Sequence, residues 1–200
     1  MSAARSTSTA WTALGGTLAA GSLAAWWLPS VALDWQPALA ASQPWRWWTA
    51  VFVHWSPLHL AANLLGCALV VALGRVSGAD ARVALAWALA WPLTQLALLS
   101  RPEVAHYGGL SGVLHAGVAA AVTALALRSR GRRRVVALLL LAGLLVKMLL
   151  ERPWGPALVA GGGWDIAVVP LAHAAGTLAG GLAALGLVSL VPARSRPQTH

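Results

Sequence analysis

The chain has 200 residues, of which 58% are hydrophobic and only 10% are charged, and its mean hydropathy is +0.70. A soluble domain carries about 25% charged residues, so this composition excludes an ordinary soluble protein and predicts an all-α protein in a lipid bilayer. The net charge of +9 does not favour nucleic-acid binding, because the arginines are confined to short turns and the termini. Cys67 is the only cysteine, which excludes an intramolecular disulfide and a multi-cysteine metal site. We expect neither a metal nor a cofactor.

Six apolar runs follow one another along the chain, separated by short turns with Gly, Pro, Trp or Arg. A membrane-spanning helix needs ~17–25 residues, and only the fifth run falls slightly short of that length. The runs are Trp11–Leu33, Trp47–Leu73, Ala81–Leu99, Leu110–Leu127, Val135–Leu150 and Ile166–Val191. The first is longer than the ~7–15-residue core of a signal peptide, so we expect a retained span. The prediction is one six-helix transmembrane domain over residues 1–200, with short basic tails.

The arginines are distributed unequally between the two sides of these runs. Ten lie at the termini and in the turns after the second and fourth runs: Arg5, Arg75, Arg82, Arg128, Arg130, Arg132, Arg133, Arg134, Arg194 and Arg196. With six spans, all ten share one side. The opposite connections hold only Arg46, Arg101 and Arg152, with Lys147 near the end of the fifth run. By the positive-inside rule, both termini are cytoplasmic.

Polar side chains capable of chemistry lie inside three of the runs. Counting back from the cytoplasmic arginines at ~1.5 Å per helical residue places His59 ~24 Å, Ser111 ~26 Å and His173 ~32 Å from that side. Three helices therefore offer Ser, His and His at a similar depth, in the outer part of a ~30 Å hydrocarbon core. Such groups are costly in hydrocarbon and indicate a functional site.

Local sequence predicts how these residues are presented. Ser56-Pro57 is typical of a helix N-cap and first helical position, ahead of His59 and Asn63, which are four residues apart on one face. Gly108-Gly109 permits a turn that places Ser111 at a helix N-terminus, where free amides suit a developing oxyanion. Gly176-x-x-x-Gly180 permits close approach of another helix. If that partner is the serine helix, His173 comes to Ser111.

These serine, histidine and asparagine side chains favour acyl-transfer chemistry. A serine hydroxyl becomes a good nucleophile when a base takes its proton, and neutral histidine is the usual base near pH 7. We predict a Ser111–His173 dyad without an acid to orient the histidine, since Asp165 lies outside. The side chains of His59 and Asn63, with the Ser111 backbone amide, are the predicted oxyanion donors.

Several neighbouring residues leave alternatives open. His115, four residues after Ser111, can wall the pocket, compete as the base or simply pack. His54 extends the site or lies at the membrane interface. Lys147 and Glu151 are expected to form a snorkelling interfacial pair. A Gly-x-Ser-Gly turn alone is common in helix packing, and so is a single membrane histidine; it is the combination that favours catalysis.

These motifs resemble those of the rhomboid intramembrane serine proteases in their six-span bacterial form, over a core of about 45–181. The similar segments are Trp45-Arg46 in the first loop, His54, His59 and Asn63 in the second helix, Gly109-Leu110-Ser111-Gly112 at the nucleophile, and Ala172-His173-x-x-Gly176 at the base. The resemblance implies a six-helix bundle in the bacterial inner membrane, with a water-filled cavity opening to the extracytoplasmic side. It assigns Ser111 as nucleophile, His173 as base, and His59 and Asn63 as oxyanion donors.

The stretch through His115 is similar to the rhombosortase branch of that family, which is associated with C-terminal Gly-Gly membrane anchors of exported proteins. We therefore expect an endopeptidase that cleaves transmembrane segments near their extracytoplasmic end. The alternative is a non-proteolytic rhomboid-like protein that binds or escorts such segments. The complete set of Ser, two His and Asn favours the protease. The sequence favours a proton or ion carrier less than either of these functions, since no acidic relay accompanies the histidines. The oligomeric state is left open.

Overall fold

A computed structural model of the protein describes residues 8–189. Arg5, Arg194, Arg196 and the end of the sixth run at Val191 lie outside the described residues. Within them the elements are α1 (Thr9–Ala25), α2 (Ser30–Leu33), α3 (Arg46–Thr49), α4 (Pro57–Ser77), α5 (Ala81–Leu96), α6 (Ser111–Arg128), α7 (Gly131–Glu151), the strands β1 (Val159–Gly161) and β2 (Trp164–Val168), and α8 (Pro170–Ser189). Short 3₁₀ helices cover Pro37–Leu39, Ala50–Phe52 and Ala97–Ser100.

The fold is that of a multi-pass helical membrane protein. In the part of the chain described, four helical segments are long and apolar enough to cross a bilayer: Pro57–Ser77, Ala81–Ser100, Ser111–Arg128 and Pro170–Ser189. Large apolar side chains such as Leu65, Leu139 and Leu182 are exposed on the outer helix faces, as contact with hydrocarbon requires. The predicted class is confirmed at this level, while the count of six spans and the side of each terminus stay predictions.

Three of the predicted runs are not single helices, so their boundaries were wrong. In the first run, the helix α1 ends at Ala25 and a second helix, α2, begins after Pro29. Proline disfavours helix in the residue before it. The second run begins with α3 and a 3₁₀ turn, and its long helix starts at Pro57. The sixth begins as a strand, with the helix starting at Pro170. In each case a proline marks the boundary.

A two-stranded hairpin between α7 and α8 is a local feature of this mostly helical fold that was not predicted. Strand β1 pairs antiparallel with β2, with Val159 opposite Val168 and Gly161 opposite Trp164. The turn uses Gly161, Gly162 and Gly163, which all have positive φ, a conformation that glycine adopts without steric cost. The triple glycine therefore shapes a tight hairpin where a loop was expected.

Helix α7 is longer than the fifth run predicted. It has 21 residues, and it begins at Gly131 and ends at Glu151. Its arginine-rich start and the Lys147–Glu151 end are thus helical, and Glu151 is carried on the last turn rather than in a loop. This extension determines which side chains α7 brings to the end of the bundle where α6 and α8 begin.

Helices α6 and α8 approach each other through glycines, as the Gly176-x-x-x-Gly180 spacing predicted. A Cβ added to Gly176 would collide with the carbonyl of Gly112, and one added to Gly180 would collide with the carbonyl of Ala116. Helix α6 is buried along most of its length by small side chains. The backbones of the serine-bearing and histidine-bearing helices therefore lie in direct contact.

Candidate active site

Ser111 and His173 face each other at the N-terminal ends of α6 and α8. Ser111 is the first residue of α6, and His173 lies on the first turn of α8. The distance from Ser111 Oγ to His173 Nε2 is 3.0 Å, which is hydrogen-bonding distance between a nucleophile and its base. The structure thus brings together the two residues that the sequence paired.

Glycine makes this approach possible at the site itself. A Cβ on Gly112 would lie 3.0 Å from the Ala172 carbonyl and 2.7 Å from Thr94 Cγ2, so a larger residue would have to displace its neighbours. Because Gly112 and Gly176 meet without intervening side chains, His173 reaches the hydroxyl of Ser111 from the neighbouring helix.

His59 and Asn63 lie against the turn that leads into Ser111. Both are buried on α4, and the Ser56 hydroxyl accepts a hydrogen bond of 3.0 Å from the His59 backbone N–H, so the predicted N-cap is present. A Cβ on Gly109, whose φ is +116°, would lie 2.6 Å from His59 Nε2 and 3.5 Å from Asn63 Nδ2. The absent side chain of Gly109 leaves room for these two groups beside the N-terminus of α6.

His54 supports His59 rather than contacting the serine. The two imidazole rings lie 4.7 Å apart, and His54 Nδ1 donates to the Phe52 carbonyl at 3.1 Å. Burial lowers the pKa of His54 to about 4, because a charged imidazole is poorly solvated there. His54 is therefore neutral near pH 7 and packs behind His59.

His115 stacks on His173, with ring centroids 4.3 Å apart. Its Nδ1 lies 2.7 Å from the Ser111 carbonyl, and since a carbonyl only accepts, that nitrogen carries the proton. Its Nε2 accepts from the Lys147 ammonium at 3.0 Å. In this geometry both ring nitrogens are engaged away from Ser111 Oγ, and the ring forms a wall against His173.

Glu151 corrects the expectation that no acid orients the histidine. Its Oε2 lies 2.8 Å from His173 Nδ1, and its Oε1 forms an ion pair with Lys147. The Lys147–Glu151 pair expected at the interface is present, but it also contacts the site. The error had a physical cause, since the length and rotation of α7 decide whether the last turn points toward α8 or toward lipid. Only the four-residue spacing of Lys147 and Glu151 signalled that they share a face.

Tyr107, the only tyrosine of the chain, was also missed. Its hydroxyl would lie 3.0 Å from a Cβ on Gly112, and burial raises its pKa to about 12. Its backbone pairs with that of Trp35 through hydrogen bonds of 2.7 and 2.9 Å. The segment that enters α6 is therefore anchored to the first loop. The sequence signal was only the position of Tyr107 directly before Gly108.

A cavity of about 1290 Å³ opens onto the pair. Its polar end holds Ser111, His173, His59 and Asn63, and the hairpin Val159–Val168 borders it. Its lining also includes apolar residues of α4 and α7: Gly66, Leu69, Leu73, Leu144 and Leu150. The hairpin is tied to the start of α4, because the Ser56 hydroxyl donates to Asp165 Oδ1 at 2.8 Å. Residues 8–189 contain no group of three or more His, Cys, Asp or Glu side chains that could hold a metal ion.

Comparison with protein families matches residues 41–190 to the rhomboid domain. The match covers well over half of the chain and includes the site residues described above: Ser111, His173, His59, Asn63, His115 and Glu151. No curated protein and no solved structure matches the chain.

Proposed function

The chain belongs to the rhomboid family, and we propose that it is an intramembrane serine endopeptidase with Ser111 as nucleophile and His173 as general base. The observation that carries the proposal is the 3.0 Å contact between Ser111 Oγ and His173 Nε2 on a cavity whose lining is mostly apolar. Membership of this family indicates proteolysis of transmembrane substrates within the bilayer.

The proposed reaction follows from the contact. As Ser111 Oγ attacks the scissile carbonyl carbon, its proton passes to His173 Nε2, and the imidazolium then gives it to the leaving amine. Water, activated by the same nitrogen, hydrolyses the acyl-enzyme and frees the serine. Cavity access to this pair is required for both half-reactions.

The oxyanion is assigned to donors on two helices. The side chains of His59 and Asn63 lie beside Gly109, and the backbone N–H of Ser111 is free at the first position of α6. An unpaired amide at a helix N-terminus and two side-chain donors can stabilise negative charge as it develops.

The cavity supports a substrate that is itself a membrane segment. Its apolar part runs between α4 and α7, where an entering helix would keep its own side chains in an apolar environment. We propose cleavage near the extracytoplasmic end, with C-terminal Gly-Gly anchors of exported proteins as the substrate class. Support for Gly-Gly anchors comes from the sequence stretch Gly109–His115. A Gly-Gly substrate should be cleaved faster than the same segment with Leu-Leu at that position.

We further propose six spans in the bacterial inner membrane, with both termini cytoplasmic and the site opening outward. Within the described helices, Arg75, Arg82 and Arg128 lie at the ends opposite Ser111 and His173, as the positive-inside rule expects. Reporter fusions after Arg75 and Arg130 should report cytoplasm, and fusions at Ser42, Glu103 and Gly162 the outer side. A C-terminal reporter found outside would contradict the span count.

A serine-directed fluorophosphonate tests the function directly. The protein in proteoliposomes should be labelled on Ser111, and the label should disappear in Ser111→Ala. The same preparations should cleave a model transmembrane substrate only when Ser111 is present. Binding of the substrate without labelling or cleavage would support the non-proteolytic alternative instead.

A further inference from the structure

Five residues form a closed ring of polar contacts at the outer end of α6, α7 and α8, here called the polar ring. Ser111 Oγ contacts His173 Nε2 at 3.0 Å, and His173 Nδ1 contacts Glu151 Oε2 at 2.8 Å. Glu151 Oε1 pairs with Lys147 Nζ, which lies 3.0 Å from His115 Nε2. His115 Nδ1 closes the ring by donating to the Ser111 carbonyl at 2.7 Å.

We propose that Glu151 is a positioning residue that extends the pair to a Ser111–His173–Glu151 triad. The inference rests on the proposed function of Ser111 and His173, and it adds an acid that the sequence did not predict. Glu151 does not touch the reacting atoms, and it acts through the imidazole of His173.

The carboxylate sets the tautomer of His173. An ionised carboxylate only accepts hydrogen bonds, so the 2.8 Å contact requires a proton on Nδ1 and leaves the lone pair of Nε2 facing the Ser111 hydroxyl. When Ser111 Oγ bonds to the carbonyl carbon and its proton moves to Nε2, the imidazole becomes positive. The adjacent negative charge stabilises that cation while Glu151 stays ionised.

Lys147 links Glu151 to His115 in the polar ring. Its ammonium has three donors, one directed to Glu151 Oε1 and one to His115 Nε2. A donor on Nε2, together with the proton on Nδ1, keeps His115 neutral with both nitrogens occupied. The stacked rings of His115 and His173 can therefore accommodate a positive charge on His173 without a second cation in contact with it.

An ordinary surface ion pair would not have this arrangement. The side chain of Lys147 is 48% exposed and that of Glu151 is 25% exposed, and exposed pairs of this kind add little stability. Both oxygens of Glu151 are nevertheless engaged, one of them by the proposed base. Substitution of Glu151 should therefore affect turnover far more than folding.

The test compares Glu151→Gln, Glu151→Asp and the control Glu103→Gln in proteoliposomes with a model transmembrane substrate. Glu103 is an exposed loop carboxylate, so its substitution removes the same charge away from the ring. A glutamine offers both a donor and an acceptor, so it no longer dictates the His173 tautomer and it removes the negative charge. We expect Glu151→Gln to lower kcat about 10²-fold, the lower end of the range for general-base catalysis, with KM and the melting temperature unchanged.

Glu151→Asp keeps the charge and should retain a larger part of kcat than Glu151→Gln, while Glu103→Gln should match wild type. Nitrogen-15 spectra of His173 should show Nδ1 protonated in wild type and a mixture of tautomers in Glu151→Gln. A wild-type kcat in Glu151→Gln would overturn the triad. The triad would also be overturned if Glu151→Gln and Glu151→Asp lost kcat to the same extent and both had a lowered melting temperature. If wild type itself neither cleaves nor takes the fluorophosphonate, the proposed function fails and the triad fails with it. Cleavage that depends on Ser111 but not on Glu151 overturns only the triad.

Discussion

The molecule contains two charged networks of similar composition and different construction. In the first-loop network, formed by Asp34, Arg46 and His106, the carboxylate and guanidinium side chains are 2% and 5% exposed and lie 3.0 Å apart. In the polar ring, Glu151 and Lys147 are 25% and 48% exposed and border the cavity. The Asp34–Arg46 pair is buried, and the first-loop network is called the closed network below. The Lys147–Glu151 pair is partly exposed to the cavity, and the polar ring is called the open ring.

The charged side chains of the first-loop network make many hydrogen bonds. Arg46 donates to the carbonyls of Val31 and Asp34 at 3.0 and 2.7 Å and to Gln43 Oε1 at 2.7 Å. His106 Nδ1 contacts the second oxygen of Asp34 at 2.6 Å. A buried charge is tolerated when its hydrogen-bonding capacity is used in this way. The donors of Arg46 all bind groups of the first loop, whereas the His106 side chain is 55% exposed and also borders the cavity.

The two networks are connected through backbone. Trp35, next to Asp34, pairs with Tyr107, and the Gly109 N–H donates to the Ala50 carbonyl at 3.1 Å. The closed network therefore holds the segment that leads into Ser111, and the open ring contains the groups that we propose to react. The comparison separates residues whose loss should unfold the protein from residues whose loss should stop turnover.

The largest expected effect concerns the open ring. Ser111→Ala and His173→Ala should each reduce cleavage to less than about 10⁻³ of wild type, because groups that act as a unit fail together. The double variant should be no slower than either single one. The measurement is cleavage of a transmembrane substrate in proteoliposomes, with circular dichroism and melting temperature to confirm the fold.

Substantial turnover by Ser111→Ala would contradict the assignment of the nucleophile. If His173→Ala cleaves and His115→Ala does not, the base is His115. Additive losses in the double variant would show that the two residues act independently.

The next effect concerns the closed network. Arg46→Met leaves the Asp34 carboxylate buried without its cation, and breaking a buried pair in this way costs about 3–5 kcal/mol. The free energy of unfolding in mild detergent should fall by that amount. The control is Arg101→Met, which removes a partly exposed arginine with one hydrogen bond to the Pro153 carbonyl. Equal stability of the two variants would show that the first-loop network is not a structural support.

The contact between α6 and α8 gives the third effect. Gly176→Ala places a methyl group against the carbonyl of Gly112 and should separate His173 from Ser111. A misplacement of 1 Å can cost about 10²-fold in rate, and we expect a loss of that order in kcat. Gly186→Ala is the matched control on the same helix, since its Cβ would meet nothing within 4 Å. Equal rates for the two variants would contradict the role of close helix packing.

Local features of this architecture were predictable from sequence. The Ser56 cap, the helix start at Ser111 and the glycine contact of α8 each depend on a few neighbouring residues, and the structure has all three. The convergence of Ser111 and His173 was predictable because helical rise converts sequence distance into depth.

Features that depend on how elements turn relative to one another were not predictable. Glu151 reaches His173 only because α7 continues to its last turn and presents that face to α8. The first-loop network depends on contacts between segments far apart in the chain. The hairpin at Gly161–Gly163 pairs neighbouring residues, but its second strand lies within an apolar run that was predicted as a helix. The apolar pattern gave no sign of the break before Pro29, because apolarity continues through it.

The smallest expected effect is at His59 and Asn63, the proposed oxyanion donors. His59→Ala and Asn63→Leu each remove one donor, and leucine has the same number and branching of side-chain heavy atoms as the buried asparagine on α4. Loss of one such donor costs about 10²–10³ in kcat in other enzymes, and we expect the lower end because the Ser111 amide and the remaining side chain share the charge. Fluorophosphonate labelling of Ser111 should persist in both variants, since the nucleophile and base are intact. If the double variant cleaves as fast as wild type, His59 and Asn63 belong with the closed network as packing residues, and the oxyanion is held by the helix N-terminus alone.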